Sequence, residues 1–225
     1  MKTPFLVIGY ERSGTSMLRR LMSMHPGLDY DIVHEKVKLL WRSKTSKQAI
    51  KTLTLPAQQH GTITGVASIL SGQKIPYVGF SAAKKTIDHF VHLFPTVSIV
   101  HIVRDPVGAV NSQVKTFKKK EMRCVSQYFK SVPRIIKYLE NSNIRHIKID
   151  YADVVDSPHN LLSRLYIWMG EKVTTEHINR VITTKEPWEY NGRTMCGLRY
   201  FNSVSNIKNK IVLSAACLKA IKAKL

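Results

Sequence analysis

A short run of small, hydroxyl-bearing and basic residues is the part of this sequence best suited to binding an anion. Residues 9–16 read GYERSGTS, so two glycines bracket Arg12 and Ser13, and two more hydroxyl side chains follow. Residues 5–8 are all apolar and predict a buried parallel strand. After the loop, four apolar residues recur at the spacing of one helical face: Met17, Leu18, Leu21 and Met22. A strand, a glycine-bounded loop and a helix N-terminus direct backbone N–H groups at one point, which predicts an anion site.

The spacing of this loop resembles the nucleotide-binding P-loop, G-x-x-x-x-G-K-[ST], with one change. Gly9, Gly14 and Ser16 occupy the expected positions. Thr15 stands where the lysine belongs, and the cation is Arg12, three residues earlier. A nucleoside-triphosphate enzyme places that lysine on the β- and γ-phosphates. The displaced cation favours a different anionic ligand, and a P-loop small-molecule kinase stays open as the alternative.

A second buried strand, predicted over residues 97–103, leads into another group of polar residues. It ends in Arg104 and Asp105, and Pro106 follows. Asp105 is suited to cap a helix in which Pro106 is the first residue. Ser112 lies about two helical turns further on, so Arg104 and Ser112 can reach the same side of the strand end. An arginine fork and a serine hydroxyl together suit a phosphate group.

These two stretches together resemble the sulfotransferases that use 3′-phosphoadenosine 5′-phosphosulfate (PAPS) and release adenosine 3′,5′-bisphosphate (PAP). The run Arg12-Ser13-Gly14-Thr15-Ser16, followed by His25-Pro26, looks like their 5′-phosphosulfate loop. This form is most similar to the tyrosylprotein and bacterial carbohydrate branches. Arg104 and Ser112 match the family's arginine and serine, which bind the 3′-phosphate.

The resemblance implies an α/β fold, with three layers, a P-loop-like topology and a central parallel sheet flanked by helices. It covers roughly residues 4–35 and 94–169, and we expect one domain over residues 1–225. It further implies that Arg12 acts on the sulfuryl group. The amides of residues 13–16, with the hydroxyls of Thr15 and Ser16, are then expected to bind the 5′-phosphate.

The resemblance also suggests a general base and a late cofactor contact. Other branches of the family use a glutamate just past the second strand, which makes Glu35 the candidate base and the adjacent His34 the alternative. An ion pair between Glu35 and Lys36 or Lys38 at a helix start is the alternative that the sequence leaves open. Residues 185–206 predict a long loop, and Arg193 within it matches the family's late basic loop over the 3′-phosphate.

Two helices are predicted in the remaining chain with features that bear on packing. Residues 125–140 read as a helix interrupted near Pro133. Residues 207–225 read as an amphipathic basic helix.

Composition limits the classes of partner. The 35 Lys and Arg residues outnumber the 15 Asp and Glu, for a formal net charge of +20. Such a field attracts polyanions, so an anionic glycan acceptor and a non-catalytic polyanion-binding module are both open, and no specific nucleic-acid motif is present. We expect a hydroxyl acceptor, most simply on a carbohydrate. No apolar run reaches the ~20 residues of a membrane span, so no transmembrane segment is predicted.

The cysteines are few and widely separated. Cys124, Cys196 and Cys217 give neither a disulfide framework nor a metal-ligand spacing, so we predict no metal site. A reducing, cytoplasmic location is the simplest interpretation. The sequence does not indicate the oligomeric state.

Overall fold

Parallel strands joined by helices make up most of the chain that a computed structural model describes, namely residues 5–23, 33–34, 44–45, 48, 72–183, 187–190, 193–196 and 211–225. The strands in these ranges are β1 (Phe5–Tyr10), β2 (Val33–His34), β3 (Gly72–Tyr77), β4 (Ser98–Val103), β5 (His146–Asp150), β6 (Pro187–Tyr190) and β7 (Arg193–Cys196). The helices are α1 (Thr15–Ser23), α2 (Phe80–Leu93), α3 (Pro106–Phe117), α4 (Glu121–Glu140), α5 (Tyr151–Asp156), α6 (Pro158–Met169), α7 (Thr175–Thr183) and α8 (Ala215–Lys222).

Five of these strands form one parallel sheet in the order β2-β3-β1-β4-β5. The central strand is β1, in which Ile8 is level with Ile75 of β3 and His101 of β4. All six residues of β1 are buried; the apolar run predicted this for residues 5–8, and the strand continues through Gly9 and Tyr10. The chain leaves β1 toward β2 and β3 and later crosses to β4 and β5, so the carboxyl end of β1 is a topological switch point. Open α/β sheets bind their ligands at such points.

Helices cover both faces of the sheet, because alternate residues of β1 belong to two separate apolar clusters. Leu6 and Ile8 pack into a cluster with residues of α2, α3, α4 and α8. Phe5 and Val7 pack into the other, with residues of α1, α5, α6 and α7. The four apolar residues predicted on one face of α1 are all buried in this second cluster. The prediction of an α/β fold with three layers is confirmed.

Three expectations about individual elements need correction. Pro133 does not interrupt its helix, because α4 is continuous from Glu121 to Glu140. The loop predicted over 185–206 is wrong in part, since β6 and β7 pair there as an antiparallel hairpin. The Asn191-Gly192 pair between these strands is typical of a two-residue hairpin turn and is the signal that was missed. Within the described residues 211–225, the tail helix covers only Ala215–Lys222.

No helix in the described ranges has both the length and the apolar character needed to cross a membrane.

A histidine lies in the middle of the sheet. His101 of β4 is 1% exposed, and its Nε2 shares a hydrogen bond with Tyr77 Oη at 3.0 Å. Burial, together with the nearby charges of His146 and Lys148, lowers the pKa of His101 to about 3. The imidazole is therefore neutral in the folded chain and acts as a packing group.

This histidine makes stability depend on pH. The unfolded chain binds a proton at His101 near pH 6.5 and the folded chain only near pH 3, so the free energy of unfolding falls as the pH falls between these values. The slope from this group is at most about 1.4 kcal/mol per pH unit. We expect His101→Gln, which keeps a hydrogen-bonding group for Tyr77, to lose this part of the slope in denaturation at pH 7, 6 and 5. His92→Gln, at an exposed position of α2, is the matched control; equal slopes in all three proteins would contradict the assignment.

Candidate functional site

The loop between β1 and α1 lies at the switch point of the sheet and has an unusual backbone. Arg12 has φ +73° and Gly14 has φ +95°, both in the left-handed region. The Ser13 N–H donates to the Tyr10 carbonyl at 2.9 Å, which closes the turn. Helix α1 begins directly afterwards at Thr15, and the first N–H groups of a helix have no partner within it. Loop amides of this kind and the helix dipole together favour an anion. We call residues 9–16 the anion loop.

Two buried donors beside the anion loop lack hydrogen-bond partners among the described residues. Ser13 is fully buried, and its Oγ has no partner. The Nε of Arg104 is also buried without one, although the Asp105 carboxylate lies 3.9 Å away. Buried polar atoms are nearly always paired in folded proteins. Two unpaired donors at one place fit a bound anion, so the residues here suit a phosphate- or sulfate-bearing ligand.

Arg12, Arg104 and Ser112, three of the residues predicted to bind the cofactor, come together at this loop. Arg104, just beyond the end of β4, donates from Nη1 to the carbonyl of Arg12 at 3.2 Å. Arg12 in turn donates from Nε to Ser112 Oγ in α3 at 3.1 Å. Helix α3 begins as predicted, with Pro106 first and the Asp105 carboxylate accepting from the Gly108 N–H at 2.6 Å. Three separate elements therefore place two guanidinium groups and a hydroxyl around one loop.

A tyrosine that the sequence analysis did not assign to the site completes this arrangement. Tyr151 begins α5, just past β5, and its ring centroid is 4.2 Å from Arg104 Cζ. The same ring lies so close to the anion loop that a Cβ on Gly14 would be 2.6 Å from it. Tyr151 thus packs against both the loop and Arg104 by cation–π and van der Waals contact. Its position directly after a strand adjacent to β4 was the signal available in the sequence.

A second tyrosine fixes the backbone of Arg104. The hydroxyl of Tyr128 in α4 donates to the Arg104 carbonyl. Burial raises the pKa of Tyr128 to about 12, so the hydroxyl stays protonated and can donate at any ordinary pH.

An ionic network ties the anion loop to the far end of α3, and sequence analysis missed it. Glu11 Oε2 accepts from Lys119 Nζ at 2.5 Å and from Gln113 Nε2 at 3.0 Å. The hydroxyl of Tyr10 donates to Gln113 Oε1 at 3.2 Å. Together with Ser112, these contacts hold both sides of Arg12. They offset the roughly 1–2 kcal/mol that a left-handed backbone costs a residue with a Cβ.

The predicted general base and the late arginine lie largely outside the described residues. His34 is the last residue of β2 and is level with Lys74 of β3, but its side chain is not described. Glu35 lies outside the described residues altogether. Arg193 begins β7, and its side chain is likewise outside them. Their roles stay predictions. Within the described ranges, no three His, Cys, Asp or Glu side chains are grouped so as to hold a metal ion.

The contact between Gly14 and Tyr151 leads to a test by substitution. Gly14→Ala combines a left-handed backbone with a steric overlap, whereas Gly170→Ala has a similar φ of +81° and nothing within 4 Å. We expect Gly170→Ala to lose about 1 kcal/mol of unfolding free energy and Gly14→Ala clearly more. Chemical denaturation measures both. Equal losses in the two variants would show that Tyr151 does not constrain the loop. In the double variant Gly14→Ala/Tyr151→Ala the steric overlap is absent, so we expect part of the additional loss of unfolding free energy to be recovered.

We compared the sequence with protein-family models and with curated protein sequences to identify the family that this site resembles. The model of the sulfotransferase family matches residues 80–175, a range that includes Arg104, Ser112 and Tyr151. A search of curated protein sequences found no match.

Solved structures with the same fold include two sulfotransferase domains. The domain from the curacin biosynthetic pathway is 14% identical, with 99% of this chain and 97% of that chain covered and a TM-score of 0.62. The domain from the Synechococcus PCC 7002 olefin synthase is 17% identical, with 99% and 95% covered and a TM-score of 0.59. Mouse sulfotransferase SULT7A1, complexed with PAP, is 15% identical, with 80% and 64% covered and a TM-score of 0.50. At these identities the likeness is one of fold. The family match over residues 80–175 and the shared fold confirm the resemblance of this chain to the sulfotransferases.

Proposed function

We propose that this chain is a PAPS-dependent sulfotransferase, a single domain over residues 1–225 that transfers a sulfuryl group to a hydroxyl acceptor. The observation that carries the proposal is the meeting of Arg12, Arg104 and Ser112 at the anion loop. The unpaired buried donors of Ser13 and Arg104 support it, because one belongs to the anion loop and the other to a side chain that contacts the loop. The PAP complex of the mouse sulfotransferase supports the choice of cosubstrate.

The site would hold the cofactor through two sets of anion-binding groups. The backbone amides of residues 13–16, with the hydroxyls of Thr15 and Ser16, would hold the 5′-phosphate. Arg104 and Ser112 would hold the 3′-phosphate, with Arg193 as a further proposed contact. These assignments follow the family resemblance. The contacts of Arg12 with Ser112 and with Arg104 support them, because these contacts bring a residue of α3 and the residue after β4 to the same loop.

Catalysis would depend on positioning and on charge. PAPS supplies a sulfuryl group attached to a phosphate that leaves as an anion. The N-terminus of α1 and the Arg12 guanidinium would neutralise that growing charge from fixed positions, which is the most effective form of electrostatic stabilisation. Because Ser112 orients Arg12 beforehand, little reorganisation is needed. The acceptor hydroxyl must also lose a proton, and we propose Glu35, or His34 beside it, as the base.

The acceptor is proposed only as a hydroxyl group. The narrower prediction of a carbohydrate, including an anionic glycan, rests on motif resemblance to one branch of the family. The structures compared above include domains from a curacin pathway and an olefin synthase, names that do not point to carbohydrate. The carbohydrate acceptor therefore stays a prediction.

Calorimetric titration with PAP tests the cofactor site directly. We expect Arg104→Ala to weaken PAP binding about 10- to 100-fold, since a hydrogen bond to a charged group contributes roughly 1.5–3 kcal/mol. Arg104→Lys should recover only part of the loss, because lysine keeps the charge without the planar fork. The matched control is Arg145→Ala. Arg145 Cζ also lies over an aromatic ring, 4.7 Å from the Trp168 ring centroid, but Arg145 directly precedes β5 and so lies at the amino ends of the strands, away from the anion loop.

Two results would contradict the proposal. One is a preference for ATP with magnesium over PAP, which would favour the P-loop kinase. The other is PAP binding that is the same in Arg104→Ala and the wild type.

A further inference from the structure

The turn between α3 and α4 carries exposed apolar side chains among cations. We call residues 115–123, KTFKKKEMR, the basic corner; it contains five cations and one carboxylate. Phe117 is 44% exposed and Met122 is 55% exposed. Phe117 ends α3 and Met122 lies in the first turn of α4, and exposed apolar surface rimmed by polar residues often marks a contact with a partner.

The ring of Phe117 packs against two cationic side chains. Arg12 Cζ lies 5.8 Å from its ring centroid, and Lys119 Nζ lies 4.8 Å from it. Lys119 is itself fixed by its ion pair with Glu11. A partner that contacts this ring would lose little side-chain entropy on binding. Because Arg12 belongs to the anion loop, the same ring also joins the basic corner to the proposed active site.

The one carboxylate of the basic corner is already engaged. Glu121 accepts from the Ser214 N–H at 3.0 Å and from the Ser214 hydroxyl at 2.5 Å. These two hydrogen bonds lower the pKa of Glu121. They also attach the start of α8 beside the corner, and α8, which packs against α3 and α4, carries the exposed Lys219 and Lys222. The surface is therefore strongly positive around two apolar side chains.

We propose that the basic corner is the docking surface for an acidic protein that carries the acceptor hydroxyl. The inference rests on the proposed function, because it places the acceptor next to Arg12. Charge complementarity selects an acidic partner and speeds its approach.

The apolar side chains select a protein over other acidic surfaces. Aromatic residues, methionine and arginine are enriched in the buried centres of protein interfaces. A glycan offers few apolar groups to cover Met122. A membrane-binding element has a long apolar helical face, whereas this turn presents two apolar side chains.

The test measures binding of the full-length chain to a defined probe. The probe is a fluorescent 20-residue helical peptide with Asp and Glu on its surface and Leu at its centre. A heparin oligosaccharide and phosphatidylglycerol vesicles are the comparison ligands. We expect Lys115→Glu/Lys120→Glu to weaken peptide binding at least about tenfold and Met122→Ala about fivefold, as for central interface residues.

Matched variants control for net charge and for exposed apolar area. Lys130→Glu/Lys137→Glu makes the same charge change further along α4, where both lysines are exposed. Ile167→Ala removes an equally large exposed side chain, 68% exposed, from α6 on the other face of the sheet. Both controls should bind the peptide within about twofold of the wild type.

The outcomes separate this inference from the proposed function. Peptide binding lost in the corner variants, with PAP affinity unchanged, supports docking at the corner. Docking would be contradicted if the corner variants bound the peptide as well as the wild type does. It would also be contradicted if the wild type bound heparin or vesicles more tightly than the peptide and Met122→Ala did not weaken that binding. In either case, PAP binding by the wild type would leave the proposed function standing. Failure of the wild type to bind PAP would instead remove the function on which the inference rests.

Discussion

The candidate site depends on how closely the anion loop packs against the ends of the neighbouring strands. A Cβ at Gly9 would lie 2.7 Å from a side-chain atom of Ile102 in β4, and one at Gly14 would lie 2.6 Å from the Tyr151 ring. Only backbone can come this near. The close approach brings the Arg12 carbonyl within reach of Arg104, so the two arginines lie side by side despite being 92 positions apart in sequence.

Features set by local sequence could be predicted. The unbroken apolar run of β1 indicates a strand buried on both faces, and Asp105 followed by Pro106 indicates the start of α3. The loop motif and the Arg104–Ser112 pair were found because their spacing is local and characteristic. Their arrangement around one loop followed from a general rule, since parallel strands bring their carboxyl ends to the same edge.

Features set by distant contacts could not be predicted in the same way. Glu11 and Lys119 are 108 positions apart, so no local spacing in the sequence relates them. Pro133 lacks the N–H of an internal helical residue, at a cost near 3 kcal/mol. Helix α4 continues through it because Val132 and Ile135, on either side, are buried against the sheet. The packing of these side chains outweighs the intrinsic tendency of proline to break a helix, which was the basis of the sequence prediction.

The central place of β1 in the sheet has a consequence for how the chain folds. Its first residue, Phe5, is level with Gly72 on one side and with Ser98 on the other. During synthesis, the start of β1 therefore leaves the ribosome 67 residues before the start of β3 and 93 residues before the start of β4. Pairings between distant segments form slowly, and unpaired apolar strands associate with other chains in the meantime. Nascent or refolding chains of this protein are thus most vulnerable to aggregation before β4 is available.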